Sequence, residues 1–240
     1  MHSPFVFQFI LNVLNNKQGY TMPDEIEDLR KELLLRRETL LIEDFGAGSR
    51  ISKTQERTIS ELAKSAIKPK KYGQLLYRLV KYYAPPSIIE LGTSLGTTTA
   101  YLAAAAPKAD IITIEGSAAI QEVAAGNFKK LGLQNIESLV GNFDQVLPQE
   151  LAKKQKVDLV YIDGNHRYEP TLNYFKQLLP KIHNNSILIF DDIHWSAEME
   201  QAWTEIRQHP AVRCTVDTFF LGFVFFREEF KVEQHFTIRY

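Results

Sequence analysis

The chain has 240 residues, 45% hydrophobic and 24% charged, a composition that excludes a disordered or fibrous protein. The 28 Lys and Arg are balanced by 29 Asp and Glu, so no positive field attracts nucleic-acid phosphates and we expect no nucleic-acid partner. The length accommodates one α/β domain with a terminal extension, and two full domains are not expected.

Cysteine content and hydropathy indicate the compartment. The single cysteine, Cys214, has no internal partner for a disulfide, which suits a reducing environment. The apolar run at residues 5–11 lacks a basic leader and is soon followed by asparagines, so it is not read as an export signal. No stretch reaches the roughly 18 apolar residues of a spanning helix. We therefore expect a cytoplasmic protein with no membrane partner.

The chain up to residue 83 shows a helical pattern and no clear strand. The predicted helices cover residues 5–16, 24–38, 55–66 and 71–83. We assign residues 1–69 to an N-terminal helical extension or lid. The apolar residues of the first helix are too continuous for a free surface helix, so it packs on the sheet or on a second subunit of a homodimer.

After Pro85-Pro86 short apolar runs alternate with helical stretches, which is typical of a parallel sheet built from βαβ units. The predicted strands cover residues 88–91, 111–115, 136–140, 157–163 and 186–191. The predicted helices cover residues 97–106, 118–131, 145–153, 168–179 and 197–208. Residues 70–240 are therefore predicted to form a doubly wound α/β domain with a Rossmann-like sheet.

Two strand-like runs, residues 212–219 and 222–226, are separated by too few residues for a crossover helix. They pair as a hairpin or as close neighbours and give the sheet an antiparallel edge strand. The sheet is thus predicted to be seven-stranded and mostly parallel, and residues 235–239 are a candidate for one more edge strand.

The segment from Ser87 to Thr98 predicts a buried strand, a tight glycine turn with Gly92 and Gly96, and the start of a helix. Such a junction holds polar or anionic ligand groups at the carboxyl end of the sheet. An ordinary turn between a strand and a helix has the same pattern, so further residues must decide. The next strand ends in Glu115, where an acid can accept both hydroxyls of a ribose.

The following strands also end in polar residues, namely Asn142 with Phe143 and then Asp163. The turn has the spacing G-x-x-x-G, with Ser94 where a dinucleotide fold has its second glycine, so a pyrophosphate would be crowded. Glu90, just before the turn, suits the ammonium of an amino-acid tail better than a phosphate. A cofactor that carries adenosine without phosphate is favoured.

These residues in this order resemble the class I S-adenosylmethionine-dependent methyltransferases, and in particular the small-molecule O-methyltransferases related to catechol O-methyltransferase. The resemblance covers about residues 70–228. It implies that S-adenosylmethionine is held by a set of strand-end and turn residues: Glu90, Gly92, Thr93, Ser94, Gly96, Thr98, Glu115, Gly116, Asn142, Phe143 and Asp163. Within that set it assigns the methionine part to Glu90 and the turn, the ribose to Glu115 and the adenine to Asn142 with Phe143.

A second glycine-rich stretch, residues 41–49, also looks like a methyltransferase motif. No strand ending in an acid follows it at the required distance, so we interpret the loop at residues 44–49 as a loop or lid segment near the site.

Methyl transfer from a sulfonium to oxygen requires alignment of the partners and removal of the acceptor's proton. Asp163, Asp191 and Asp192 follow neighbouring strands and offer an all-oxygen set for Mg²⁺ or another divalent cation. Catechol-type enzymes have an Asp-Asn pair where this chain has Asp191-Asp192. The alternative is that Asp191 caps the next helix and Asp192 is solvated.

Asp163 and His166 are the predicted catalytic residues, because His166 follows three residues later, where the catechol enzyme has a lysine base. Imidazole titrates near neutrality and can take the acceptor's proton, although a surface histidine would look the same. His194 and Trp195 are candidates to line the acceptor pocket or to pack a loop.

We therefore predict methyl transfer to a hydroxyl of a small molecule, with N- or C-methylation left open. The first alternative is a nicotinamide-dependent oxidoreductase, against which the missing middle glycine argues. The second is a catalytically silent binding module of the same fold, against which the retained acids and His166 argue weakly.

Overall fold

The computed structural model describes residues 3–16, 19–44 and 53–240. The helices are α1 (Pro4–Phe9), α2 (Asp24–Leu33), α3 (Ile59–Ala66), α4 (Lys70–Tyr83), α5 (Thr97–Ala105), α6 (Ala118–Lys130), α7 (Phe143–Ala152), α8 (Tyr168–Leu178) and α9 (Ala197–Arg207), with a π-helical turn at Ile10–Leu14 and a 3-10 turn at Leu179–Lys181. The strands are β1 (Thr39–Asp44), β2 (Lys53–Thr58), β3 (Ser87–Leu91), β4 (Asp110–Glu115), β5 (Ile136–Val140), β6 (Leu159–Ile162), β7 (Ile187–Asp191), β8 (Cys214–Asp217), β9 (Leu221–Phe225) and β10 (Gln234–Thr237).

The main sheet has the order β10-β8-β9-β7-β6-β3-β4-β5, which confirms the predicted doubly wound, mostly parallel fold. It is eight-stranded and not seven-stranded, because β10 at residues 234–237 joins it in parallel with β8. The antiparallel strand is β9, which pairs antiparallel with both β7 and β8. It therefore lies inside the order, and the prediction that it forms the edge was wrong.

The central strands are buried on both faces. Every residue of β6 and of β7 is buried, and so is every residue of β3 after Ser87. Parallel strands covered by helices on both sides have such near-continuous apolar runs, which is why these three strands were predicted within three residues of their observed ends.

The prediction that the chain before Pro85 is wholly helical was wrong. Strands β1 and β2 pair antiparallel, from Thr39 opposite Thr58 to Asp44 opposite Lys53. Ile42 packs into an apolar cluster with residues of α2 and α3, while Leu41 is exposed. The alternation of apolar and polar residues in β1 is only a few residues long, and β2 is polar throughout. Residues 53–58 are therefore extended because they pair with β1, and the sequence pattern does not show this pairing. The predicted second helix accordingly ends five residues early, at Leu33, and the third begins at Ile59.

The described chain forms two compact units. The first contains the described residues up to Pro86 together with Thr93–Gly141, and the second contains Ser87–Gly92 and Asn142–Tyr240. The described residues of the predicted extension, residues 1–69, belong to the first unit together with α4, α5, β4, α6 and β5. The proposed division of the chain at residue 69 stays a prediction.

Within the first unit, the N-terminal segment packs against the helix α4. The predicted contact with the sheet or with a second subunit stays a prediction. Phe9 and Val13 are fully buried. Arg78 of α4 is also buried, and its Nε donates to the carbonyl of Val13 at 2.6 Å. A second donor, Nη2, reaches the carbonyl of Leu14 at 3.4 Å. These bonds satisfy carbonyls at the end of the π-helical turn, which have no intrahelical partner.

None of the helices formed by residues 3–16, 19–44 and 53–240 combines the length and the apolar character that crossing a bilayer requires.

We expect Arg78→Met to lower the free energy of unfolding by about 1.5–3 kcal/mol, because hydrogen bonds from a charged donor are lost and buried carbonyls lose their partner. Urea unfolding followed by circular dichroism measures this change. Lys70→Met, at the exposed first residue of the same helix, is the control and should change stability by less than about 0.5 kcal/mol. Equal stability of the two variants would contradict the prediction.

Candidate active site

Gly92 stands where β3 and β6 of the second unit end side by side. A Cβ on Gly92 would lie 1.9 Å from the carbonyl oxygen of Asp163, and its φ of 102° is one that other residues rarely adopt. The amide of Asp163 also donates to the carbonyl of Leu91 at 2.8 Å. Glycine is therefore required here by the close approach of two backbones, whatever the chain binds.

In the first unit the turn continues through Thr93, Ser94 and Gly96. The buried hydroxyl of Thr93 lies 2.6 Å from that of Thr113 in β4, which fixes the turn against the strand. Gly96 precedes α5 with φ 81°, and a Cβ there would lie 2.5 Å from the ring of Phe128. Thr98 lies half-buried in the first turn of α5. This glycine is likewise explained by packing.

Glu115, the last residue of β4, is the most firmly oriented of the predicted residues in the first unit. Its Oε2 accepts the amide of Ser94 at 2.8 Å, and its Oε1 accepts the amide of Ser117 at 3.0 Å. Burial raises the pKa of this carboxyl, while the amides of Ser117, Ser94 and Gly116 oppose the rise. Each carboxylate oxygen has a second lone-pair direction, so Glu115 can still accept two hydroxyls.

In the second unit, three acids share one face of the sheet with Tyr161. Glu90 of β3 lies opposite Tyr161 of β6, and Tyr161 lies opposite Ile189 of β7. Because side chains alternate along a strand, Asp163 and Asp191 follow two residues later on that face. Glu90, Tyr161 and Asp191 are almost completely buried.

The hydroxyl of Tyr161 lies 3.2 Å from Oδ2 of Asp163, to which it donates. Burial raises the pKa of Tyr161 well above its ordinary value, and the negative charges of Asp163, Asp191 and Glu90 raise it further. The phenol therefore stays protonated and supplies a neutral donor beside the acids. This part of the site is built to stabilise positive charge.

The loop after β6 brings His166 next to Asp163, with Nε2 3.4 Å from Oδ1. The backbone there is strained, with φ 63° at Asn165 and 29° at His166. The predicted pair is thus brought together.

The predicted adenine residues have structural partners within the second unit. The side chain of Asn142 caps α7 by accepting the amide of Asp144 at 2.9 Å. Phe143 lies so close to Gly164 that an added Cβ would approach its ring to 2.5 Å, and its edge faces the ring of Tyr174. Phe143 is half-buried, and neither contact requires a ligand.

The residues do not fit the predicted metal site. No group of three or more His, Cys, Asp or Glu side chains in the described part of the chain could hold a metal ion, so Asp163, Asp191 and Asp192 are not assembled as one ligand set. Asp191 is buried, whereas Asp192 follows with φ 51° and is half-buried. Assistance by a divalent cation stays a prediction, and no step is assigned to it.

Tyr161 and Asp217 were missed by sequence reasoning. A tyrosine in an otherwise aliphatic buried strand, two residues before an acid, was the available signal for Tyr161. Asp217 lay inside a run predicted as a continuous strand, but β8 ends there, and its carboxylate lies 2.8 Å from Nε2 of His194. His194 is thereby fixed by a buried acid, while Trp195 is exposed.

The described part of the second glycine-rich stretch, residues 41–44, does not belong to the main sheet. Residues 41–44 belong to β1, which pairs antiparallel in the two-stranded sheet. The glycines of the motif, within residues 45–49, lie outside the described residues.

Comparison with known proteins supports the predicted resemblance to methyltransferases. Residues 89–193 match the sequence model of a family described as a methyltransferase domain. This stretch runs from β3 to the loop after β7 and contains every predicted cofactor-binding, catalytic and metal-binding residue. The predicted resemblance to methyltransferases is therefore confirmed for this part of the chain.

Among individual proteins, the transmembrane O-methyltransferase homolog of Rattus norvegicus is 34% identical over 101 residues. The match covers 40% of this chain and 39% of the rat protein, so the chain spans about two fifths of the length of that relative.

Solved structures share the fold over almost the whole chain. The S-adenosylhomocysteine-bound methyltransferase of Podospora anserina has a TM-score of 0.68 at 13% identity, over 95% of this chain and 98% of that one. The O-methyltransferase of Bacillus cereus, in complex with the same compound, has a TM-score of 0.61 at 16% identity, over 92% and 97%. The fold is that of these methyltransferases, including part of the region before β3.

We expect Gly92→Ala to destabilise the protein by more than the roughly 1–3 kcal/mol that a strained φ alone costs, because its Cβ overlaps a backbone oxygen. Gly126→Ala is the matched control. Gly126 lies inside α6 with no atom within 4 Å of an added Cβ, so the change should stabilise by about 0.5–1 kcal/mol. Chemical unfolding of both variants checks the pair, and a Gly92→Ala protein as stable as the wild type would refute the close approach.

Proposed function

We propose that this chain transfers a methyl group from S-adenosylmethionine to a hydroxyl oxygen of a small molecule. The observation that carries the proposal is the placement of Glu115, a carboxylate at the end of β4 whose two oxygens are oriented by the amides of Ser94 and Ser117. A fixed acceptor pair of this kind suits the two hydroxyls of a ribose. The match of residues 89–193 to a methyltransferase domain supports the same conclusion.

Each predicted group of residues would supply one chemistry to the cofactor. Glu115 with Gly116 and Ser94 accepts and orders the ribose. Glu90, buried beside Tyr161, balances the ammonium of the methionine part. Asn142 and Phe143 offer an amide and a ring face for the adenine.

S-adenosylmethionine, when bound, supplies an electrophilic methyl on a positively charged sulfur. The acceptor oxygen forms a bond to that methyl carbon as the bond from carbon to sulfur breaks, and the acceptor loses its proton. Asp163 and its neighbouring acids stabilise positive charge in this region. An in-line displacement needs mainly alignment and a proton acceptor, and both can come from this chain.

We propose His166 as that proton acceptor. Its Nε2 faces Oδ1 of Asp163 at 3.4 Å, so Nδ1 takes the hydroxyl proton and the carboxylate stabilises the imidazolium that forms. The arrangement corresponds to a base oriented by an acid, as in other enzymes that use histidine. Asp163 thus serves the base through one oxygen while the other accepts from Tyr161.

The cytoplasmic location, the lack of a nucleic-acid partner and the homodimer remain predictions from the sequence. The small-molecule acceptor belongs to the proposal and follows from the class of enzyme.

Glu115→Gln should weaken binding of S-adenosylhomocysteine by roughly 10- to 100-fold, since a hydrogen bond to a charged group contributes about 1.5–3 kcal/mol. Isothermal titration calorimetry measures the affinity. Asp110→Asn, at the exposed first residue of the same strand, is the control and should bind as the wild type does. Unchanged affinity in Glu115→Gln would contradict the proposed cofactor.

His166→Gln should lower kcat by about 10²- to 10⁴-fold, the contribution of a positioned base, while the affinity for S-adenosylhomocysteine stays within twofold. His235→Gln, in the exposed last strand, serves as the control. Turnover is followed as release of S-adenosylhomocysteine, with and without EDTA. A kcat unaffected by His166→Gln would remove His166 from the reaction, and loss of turnover with EDTA would restore a metal to it.

A further inference from the structure

The hairpin between β8 and β9 turns on two phenylalanines. The amide of Thr218 donates to the carbonyl of Leu221 at 2.9 Å, so Phe219 and Phe220 form a two-residue loop. Phe219 has a φ of 75°. The first position of such a tight loop favours glycine, because a Cβ is crowded at positive φ, and a bulky aromatic residue there is strained. Phe219 therefore occupies a backbone position that favours glycine. Exceptions of this kind are found where a side chain is needed for function.

The strand register places this loop beside the candidate catalytic residues of the second unit. Strand β9 runs antiparallel to β7, and Leu221 lies opposite Asp191. With a rise of about 3.3 Å per residue, Phe219 and Phe220 extend within about 7 Å beyond Asp191. The loop thus projects past the carboxyl end of β7, the end at which Asp191 and Asp192 lie.

A buried acid holds the strained loop in place. Asp217 is 4% exposed, and its Oδ1 accepts the amide of Phe219 at 2.8 Å. Its Oδ2 accepts Nε1 of Trp203 in α9 at 3.3 Å and lies 2.8 Å from Nε2 of His194. The imidazole of His194 in turn stacks on the ring of Phe219, with centroids 5.4 Å apart and planes 27° apart. One carboxylate therefore joins the loop after β7, the loop after β8 and α9.

The aromatic rings on these two loops are exposed. Phe219 is 62% exposed, Phe220 is 41% exposed, and Trp195, which follows His194, is 73% exposed. Single exposed apolar residues are common, but here three large aromatic rings lie on two loops that the contact between Asp217 and His194 joins. The strained backbone of Phe219 and its hydrogen bond to the buried carboxylate of Asp217 together fix the orientation of the Phe219 ring.

We propose that Phe219 is a specificity-determining residue for the methyl acceptor and that Asp217 is the residue that positions it. The proposal rests on the proposed methyl transfer. The exposed face of Phe219, with Trp195, contacts the apolar part of the acceptor. Asp217 does not touch the acceptor, and it acts by holding the amide of Phe219 and the ring of His194.

The first measurement concerns stability. Phe219→Gly removes the strain, so the Tm should rise by about 2–4 °C, the shift expected for a gain of this size in a chain of this length. Ala84→Gly is the matched control, since Ala84 is exposed at the end of α4 with φ 46° and lies outside the candidate site. It should give a similar rise. A fall in Tm for Phe219→Gly would overturn the argument from strain.

The second measurement concerns the acceptor. Steady-state kinetics use the compound that the wild type methylates fastest among catechol, 3,4-dihydroxybenzoate and cyclohexane-1,2-diol. Phe219→Gly should raise the KM for that compound by roughly 5- to 10-fold, the worth of one aromatic contact, with kcat within twofold. Ala84→Gly should leave both constants unchanged. An unchanged KM in Phe219→Gly would refute the proposal.

The role of Asp217 is tested by two substitutions, one that removes the carboxylate and one that replaces it with an amide. Asp217→Ala should raise the same KM as far as Phe219→Gly does. Asp217→Asn should restore part of the loss, because Oδ1 can still accept the amide of Phe219 although the new NH2 group cannot accept from Trp203. Asp217→Asn as impaired as Asp217→Ala would remove the positioning role. Affinity for S-adenosylhomocysteine is measured throughout and should not change. Failure of the wild type to bind it would instead count against the proposed methyl transfer.

Discussion

The candidate site depends on one close approach, that of Gly92 to the carbonyl of Asp163. Because Gly92 has no Cβ, β3 and β6 can end side by side, with the amide of Asp163 bonded to Leu91. This fixes the register in which Glu90 faces Tyr161, and from it the common face of Glu90, Asp163 and Asp191. A side chain of any size at residue 92 would move the end of β6 and every group that follows it.

A further negative charge on this face of the sheet would be repelled by the carboxylates of Glu90, Asp163 and Asp191. Tyr161 avoids this, since burial and the neighbouring carboxylates keep its phenol protonated and able to donate to Asp163. The result is a region of negative potential with a neutral donor at its centre. Cationic groups, such as a sulfonium or an ammonium, are the ligands that such a region stabilises.

Backbone strain is concentrated in residues that follow the ends of strands. Among described residues other than glycine, positive φ occurs at Ala84 and at residues that follow the ends of strands β3, β6, β7 and β8: Ser94, Asn165, His166, Asp192 and Phe219. Strain of this kind persists only where the surroundings fix it, and it gathers at functional sites. Ser94 and Phe219 show how it is fixed here, since the amide of each is held by a carboxylate, Glu115 and Asp217 respectively.

The sequence by itself determined the doubly wound sheet, because buried parallel strands are continuous apolar runs and their helices follow a different period. It also determined the strand ends at which Glu115, Asp163 and His166 stand. Only the tertiary structure decided the pairing of β1 with β2, since a polar strand such as β2 exists through its partner. Likewise, the link from Asp217 to His194 joins residues 23 positions apart, and no local pattern records which acid a histidine will meet. The orientation of Asp163, Asp191 and Asp192 is likewise set in three dimensions, because a shared sheet end brings backbones together but does not set the direction of each carboxylate.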